Sequence, residues 1–401
     1  MIAVGAANTQ TFSPTPLVTP VSAEFPTIPK GSPITVIGAG AFGGWSALFL
    51  LRHGYKVTLI DAWGAGNSRS SSGDETRVTR STYGHNELYF QMNVRALELW
   101  KEYERSVGQN LFFNKGVLWF CYKKDNPLVD DSIPFAKKFG MEYEYLSVAD
   151  LRSRFPQVRC DDLSHAYFDS FGGYLRARDG MRSVLSTFIA EGGSFIQAEA
   201  NPGNITNGRM ADIRLSNGTS IRTENFLFAC GSWLPQIFPK VLSEVIKCTR
   251  QEVYYFGVPA AEAVAFDNLP VWIDLDDQNF YYGIADNASR GFKIGVDKRG
   301  PAFDPTNGEH SHDADVLSAA RKFIAHRFPA LAKAPLVENR VCPYENSIDG
   351  NFIFDRHPEI SNVFLLGGGS GHGFKHGPAL GELVSKCLSG ESKVPDLFRM
   401  K

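Results

Sequence analysis

The chain has 401 residues, a formal net charge of −2, 43% hydrophobic and 21% charged residues. That length predicts two or three folding units with ample core, and the charge balance offers nothing to nucleic acid or an anionic membrane. No apolar run approaches the ~20 residues that cross a bilayer.

Met1 to about Lys30 is rich in Pro, Thr and Ser and lacks a basic start followed by an apolar core. It reads as a mobile extension rather than a secretory signal, and the expected location is cytoplasmic. Ile34 to Ile37 is a short apolar run suited to a buried parallel strand, and it leads into Gly38-Ala-Gly40-Ala-Phe42-Gly43. Gly38 can turn the chain, Gly40 lets backbone amides approach a pyrophosphate, and Gly43 lets a helix from about Ala41 to Arg52 pack on the strand. The helix N-terminus offers N–H groups and a positive dipole end. A second strand, Val57 to Ile60, delivers Asp61, whose carboxylate can accept ribose hydroxyls. Strand, helix, strand and acid in this order predict dinucleotide binding, without choosing between FAD and NAD.

Next comes a Gly/Ser-rich loop, Ala62 to Gly73, and then Thr76-Arg77-Val-Thr-Arg80. Alone, these arginines fit a solvated basic turn as well as a site. Asn86 to Arg105 has helical period, with Tyr89, Met92, Ala96, Leu99, Trp100 and Tyr103 on one stripe. Gly116 to Tyr122 reads as a strand entering a second domain. A short helix is expected around Val148 to Phe155, and Asp179 reads as the N-cap of a helix to Ala190 that turns Met181, Val184, Leu185, Phe188 and Ile189 inward. Ser194 to Gln197 is a strand. Asn217-Gly218 predicts a hairpin with a type I′ turn. Phe226 to Cys230 reads as a return to the nucleotide-binding sheet. Strands at Val253–Phe256, Val271–Ile273, Phe280–Tyr282 and Phe292–Val296 predict an antiparallel roof over a pocket, interrupted by a helix from about Ala314 to Phe328. Val363 to Leu366 then runs into a glycine loop, Gly367 to Gly377, and a helix from Pro378 to about Leu388. Six scattered cysteines without a C-x-x-C pair argue against a zinc site or disulfide framework, and no metal is expected.

Several motifs, in this order, make the chain resemble the FAD-dependent amine oxidases of the D-amino-acid oxidase superfamily, above all the monomeric sarcosine oxidase and N-methyltryptophan oxidase group. They are Gly38-x-Gly40-x-x-Gly43, Thr76-Arg77-x-x-Arg80-x-x-Tyr83-Gly84, Gly291-Phe-Lys293-Ile-Gly295, Cys342-Pro-Tyr344, Asp355-x-His357-Pro-Glu359 and Gly369-Ser-Gly371-His-Gly-Phe-Lys375. The resemblance covers about Ile34 to Leu388. It implies an α/β fold: a Rossmann-like FAD-binding domain (31–115, 177–250 and 341–401) after the extension (1–30), and an α+β substrate domain on an antiparallel sheet (116–176 and 251–340). The implied cofactor is FAD, covalently attached at Cys342, and the implied assembly is a monomer.

The resemblance also implies a reaction and roles: oxidation of the C–N bond of a secondary amine or N-methyl amino acid to an imine, with O₂ reduced to hydrogen peroxide. Lys293 would meet O₂, Arg80 and Lys375 would grip a substrate carboxylate, and Tyr344 and Tyr282 would wall the pocket. Gly38, Gly40, Phe42, Gly43, Asp61, Thr76 and Arg77 would contact the cofactor, as would Gly369, Gly371, Gly373 and Lys375. His372 is either a donor to the flavin or a packed loop residue, and His357 is more often structural in such a turn. The related oxidases carry a histidine two residues after Gly295, where this chain has Asp297. That departure keeps open a primary, cyclic (pipecolate-like) or fructosyl amino acid as substrate. A flavin dehydrogenase unreactive to O₂ and a nucleotide-binding protein without redox activity also stay open.

Overall fold

The structure, a computed structural model, describes residues 25–276, 279–285 and 287–401. Most of the expected N-terminal extension lies outside the described residues. Its last part is packed, not loose. Phe25 lies 5.0 Å from the Phe354 ring, and the buried Ile28 donates its N–H to Leu388 O at 2.7 Å. Two large apolar side chains gain enough burial there to hold the segment down.

Six strands form the first sheet, in the order Ile353–Arg356, Val363–Gly367, Asn225–Phe228, Pro33–Ile37, Lys56–Asp61 and Ser194–Gln197. All pairs are parallel except the antiparallel edge pair Ile353–Arg356 with Val363–Gly367. Parallel strands are covered on both faces, which is why the inner ones read as largely apolar runs. The helix Ala41–Arg52 packs between Ala177–Ala190 and Gly377–Leu388. Gly43 is required for that contact: a Cβ there would lie 1.9 Å from Gly38 O.

Eight strands form the second sheet, in the order Leu336–Ser347, Ile246–Phe256, Phe292–Val296, Tyr281–Ile284, Val271–Asp274, Val117–Cys121, His165–Asp169 and Tyr143–Leu146. It is antiparallel except where Val271–Asp274 runs parallel to Val117–Cys121. The helix Ala314–Arg327 packs on its far face through Ala320 and Ile324. The strands Ile246–Phe256 and Leu336–Ser347 run through positions 250 and 341, where a domain boundary is expected. Among the described residues, no helix is long and apolar enough to cross a membrane.

Three local expectations need correction. The helix at 177–190 starts at Ala177 with Arg176 as its N-cap, so Asp179 sits inside the first turn, where its charge still suits the dipole. Ile189 on that helix is 48% exposed rather than inward. At Asn217-Gly218 only Gly218 has positive φ (+84°), and Leu215 N–H reaches Thr219 O, so the loop is a three-residue one. The Asn-Gly pair with both φ positive is Asn207 (+51°) and Gly208 (+69°), joining strands 205–206 and 209–210, as a type I′ turn demands.

Candidate active site

A cavity of about 340 Å³ opens where the carboxyl ends of the parallel strands meet the face of the eight-stranded sheet. Its nucleotide end is lined by Gly38, Gly40, Phe42 and Asp61. Gly40 is the N-cap of the helix Ala41–Arg52 and brings no capping side chain. Ala41 N–H is taken by Ser72 Oγ at 3.1 Å. Asp61 accepts Ala39 N–H at 2.8 Å and Trp63 N–H at 2.9 Å, and burial raises its pKa above the usual carboxylate value. A carboxylate fixed by backbone beside an uncapped helix end suits a ribose and its phosphates.

Glu345 also lines the cavity. Burial pushes its carboxyl up to about 7 although the Gly368 and Gly369 amides favour its charge. Oε2 has no hydrogen-bond partner among the described residues. An unpartnered buried carboxyl oxygen in a cavity wall is a group that a polar ligand can satisfy. The residues present therefore fit a dinucleotide cofactor.

Next to Glu345, the glycine loop brings Gly369, Gly371, His372, Gly373 and Lys375 onto the cavity wall. Gly371 has φ +80°, and a Cβ there would meet the Tyr344 ring at 2.5 Å. His372 Nε2 lies 3.0 Å from Gly350 O, an acceptor only, so this nitrogen carries the proton and Nδ1 accepts from Tyr83 OH at 3.1 Å. Burial and the nearby Lys375 charge keep the ring neutral. His357 accepts Glu359 N–H and packs on Phe238, a turn-holding role.

Two cations face the remaining space. Arg80 lies 4.9 Å over the Tyr83 ring and donates to Thr82 O. Lys375 Nζ lies 5.2 Å over the same ring and donates to His372 O at 3.0 Å. Burial and the Arg80 charge depress the Lys375 pKa, with Asp297 opposing them. Among the described residues neither cation has a carboxylate within ion-pair distance. Two basic groups beside one aromatic ring and without carboxylate partners form a receptor for an anion. Tyr282, Tyr344 and Asp297 complete this end of the cavity.

The expected site residues Gly43, Thr76, Lys293 and Cys342 do not line the cavity. For the last three, Arg77 is the wall in front of them. Its guanidinium lies 3.4 Å from Cys342 Sγ, 2.9 Å from Thr76 O and 2.5 Å from Asp74 Oδ2. Lys293 Nζ reaches the same Asp74 oxygen at 2.5 Å and Thr76 O at 2.8 Å. Tyr255 OH donates to Asp74 at 2.5 Å. Burial opposes charge on Asp74, but Lys293 and Arg77 hold it far below the usual carboxylate range. Burial lowers Lys293 to about 8 despite that partner. Burial likewise raises the Cys342 thiol, with Arg77 pulling the other way. The buried Asp74 holds Lys293 behind the Arg77 wall and ties Arg77 in place. Asp74 and Glu345 were both missed in the sequence; the acidic doublet Asp74-Glu75 next to Thr76-Arg77 was the available signal.

The FAD dependent oxidoreductase family matches residues 33–387. The chain belongs to this family. Monomeric sarcosine oxidase of Arthrobacter sp. (strain TE1826) is 27% identical to this oxidoreductase over 91% of the chain and 95% of its own length. N-methyl-L-tryptophan oxidase of Salmonella dublin is 25% identical over 92% of the chain and 98% of its own. L-proline dehydrogenase from P. horikoshii superposes with a TM-score of 0.79, covering 92% of this chain and 96% of that one at 20% identity, a likeness of fold alone.

Proposed function

We propose that this FAD-dependent oxidoreductase oxidises the C–N bond of a secondary amine or N-methyl amino acid to an imine and passes the electrons to O₂. The observation that carries this reading is the pair Arg80 and Lys375, both near the Tyr83 ring and without an ion-pair partner among the described residues, lining the cavity that also holds the nucleotide-loop residues. Bound flavin would supply the hydride acceptor and the route for electrons to O₂, which is reduced to hydrogen peroxide.

The chain's own groups do the rest. Arg80 and Lys375 hold the substrate carboxylate, which turns the amine-bearing carbon toward the cofactor. Tyr282 and Tyr344 wall the site and restrict water. Gly38, Gly40, Phe42 and Asp61 take the nucleotide half, and the loop Gly369–Gly373 directs amides at the ring half. We assign the covalent attachment to Cys342, where the Arg77 guanidinium 3.4 Å from the sulfur works against the burial that disfavours the thiolate. Lys293 places a cation behind the ring face for O₂.

A second reading, a flavin amine dehydrogenase slow with O₂, is favoured by one observation: Lys293 is tied to Asp74 at 2.5 Å. Anaerobic mixing with N-methyl and cyclic amino acids, followed by admission of air, separates the two. The oxidase bleaches, recovers its yellow colour within seconds and releases peroxide. A protein that bleaches and stays bleached in air is the dehydrogenase, and one that never bleaches is neither.

A further inference from the structure

Asp297 shares the cavity lining with Arg80 and Lys375 and has an oxygen to spare. Asp297 Oδ1 is held by Arg299 Nη1 at 3.1 Å, and Arg299 is itself anchored to Ser370 O at 2.8 Å. A Cβ on Gly371 would lie 3.1 Å from Asp297 Oδ1, so the acid is fixed against the glycine loop. Among the described residues, Oδ2 accepts no hydrogen bond. Arg299 is ion-paired to one oxygen of Asp297, while Arg80 and Lys375 favour its charge only from longer range, with no ion pair between them among the described residues. A bound carboxylate alone would set a second anion near Asp297. A ligand with a positive nitrogen one or two bonds from its carboxylate would satisfy both sides at once.

We propose that Asp297 is a specificity-determining residue that takes the positively charged nitrogen of a zwitterionic substrate whose carboxylate is held by Arg80 and Lys375. This rests on the function proposed above and narrows it to substrates bound as ammonium carboxylates. Asp297 discriminates by charge, and analogues of the same shape that lack the positive nitrogen bind more weakly because they leave its spare oxygen without that partner.

Glycine and propionate are nearly isosteric and differ in an ammonium against a methyl group, so they serve as probes. Each is titrated anaerobically into the purified holoprotein, and binding is read from the immediate change in visible flavin absorbance. The expected result is glycine at least ~10-fold tighter than propionate, about the size of one charge-assisted contact. Asp297→Asn should level the two, by weakening glycine and tightening propionate, and Asp297→Glu should restore part of the preference. Equal affinities in the unmutated protein, or a preference that survives in Asp297→Asn, overturn the proposal. Arg80→Met keeps the underlying reading separate. If neither probe perturbs the unmutated flavin, or if Arg80→Met binds both unchanged, the carboxylate clamp itself is wrong.

Discussion

The substitution Asp74→Asn tests the buried charge cluster behind the cavity. Asp74 is 4% exposed and is shared by Lys293 at 2.5 Å, Arg77 at 2.5 Å and Tyr255 at 2.5 Å, with Arg340 at 3.5 Å. Removing one member of a buried ion pair costs roughly 3–5 kcal/mol, because the other is left charged and unpaired. An amide keeps some of the hydrogen bonds and Arg340 keeps Glu75 at 2.9 Å, so the low end, about 3 kcal/mol, is expected. For a chain of this length, that lowers the melting temperature by about 4 °C. The same change moves a titration. Lys293 lies near 8, below its ordinary 10.5, because burial outweighs the help of Asp74. The unfolded chain thus holds the extra proton between about 8 and 10.5, and the Lys293 contribution to stability rises with pH across that window. Without the carboxylate, Lys293 should fall by a further ~1 unit or more, since one unit is only about 1.4 kcal/mol of lost interaction. If the Lys293 cation meets O₂, the basic limb of the reoxidation rate moves from near 8 to lower pH by the same amount. Stopped-flow reoxidation from pH 6 to 10 and a thermal melt check both. An unchanged melt together with an unmoved basic limb would refute the reasoning.

Three further outcomes follow from the site. Arg80→Met and Lys375→Met should each raise KM for amino-acid substrates ~10–100-fold, the worth of a lost charge-assisted hydrogen bond, while the melting temperature holds; steady-state kinetics and a melt decide it. Acid-precipitated protein should be yellow, and Cys342→Ser should give a colourless pellet with free flavin in the supernatant. Gly371→Ala forces a side chain into φ +80° and against Tyr344 at 2.5 Å, so it should cost about 1–3 kcal/mol and lower the flavin-to-protein absorbance ratio of the purified protein.

The elements legible in the sequence were those whose burial is two-sided. Val363–Gly367 carries an unbroken apolar run, and Pro33–Ile37 and Lys56–Asp61 carry runs broken only by a threonine each, because parallel strands are covered above and below. The full length of Ile246–Phe256 and Leu336–Ser347 was not legible. Their ends are only partly buried and carry Lys247, Arg250, Glu338 and Arg340, which read as loop. Spacing could group Gly38, Gly40 and Gly43 with Asp61, since they lie in one strand–helix–strand unit. Spacing could not group Arg80 with Lys375, or Lys293 with Asp74, 219 residues apart; only the resemblance joined the first pair. Nor can a sequence tell a buried acid from an exposed one. Asp74 and Glu345 look like any surface carboxylate until the fold closes over them.

The most direct measurement of the central claim is a peroxide-coupled assay on purified protein that pairs each N-methyl or cyclic amino acid with its decarboxylated amine. Peroxide from the acids and at least ~100-fold less from the amines, as expected when two charge-assisted contacts are lost together, is the predicted result. Equal turnover of both sets, or no peroxide from any acid in a yellow, flavin-loaded preparation, would contradict an oxidase built around an Arg80–Lys375 clamp.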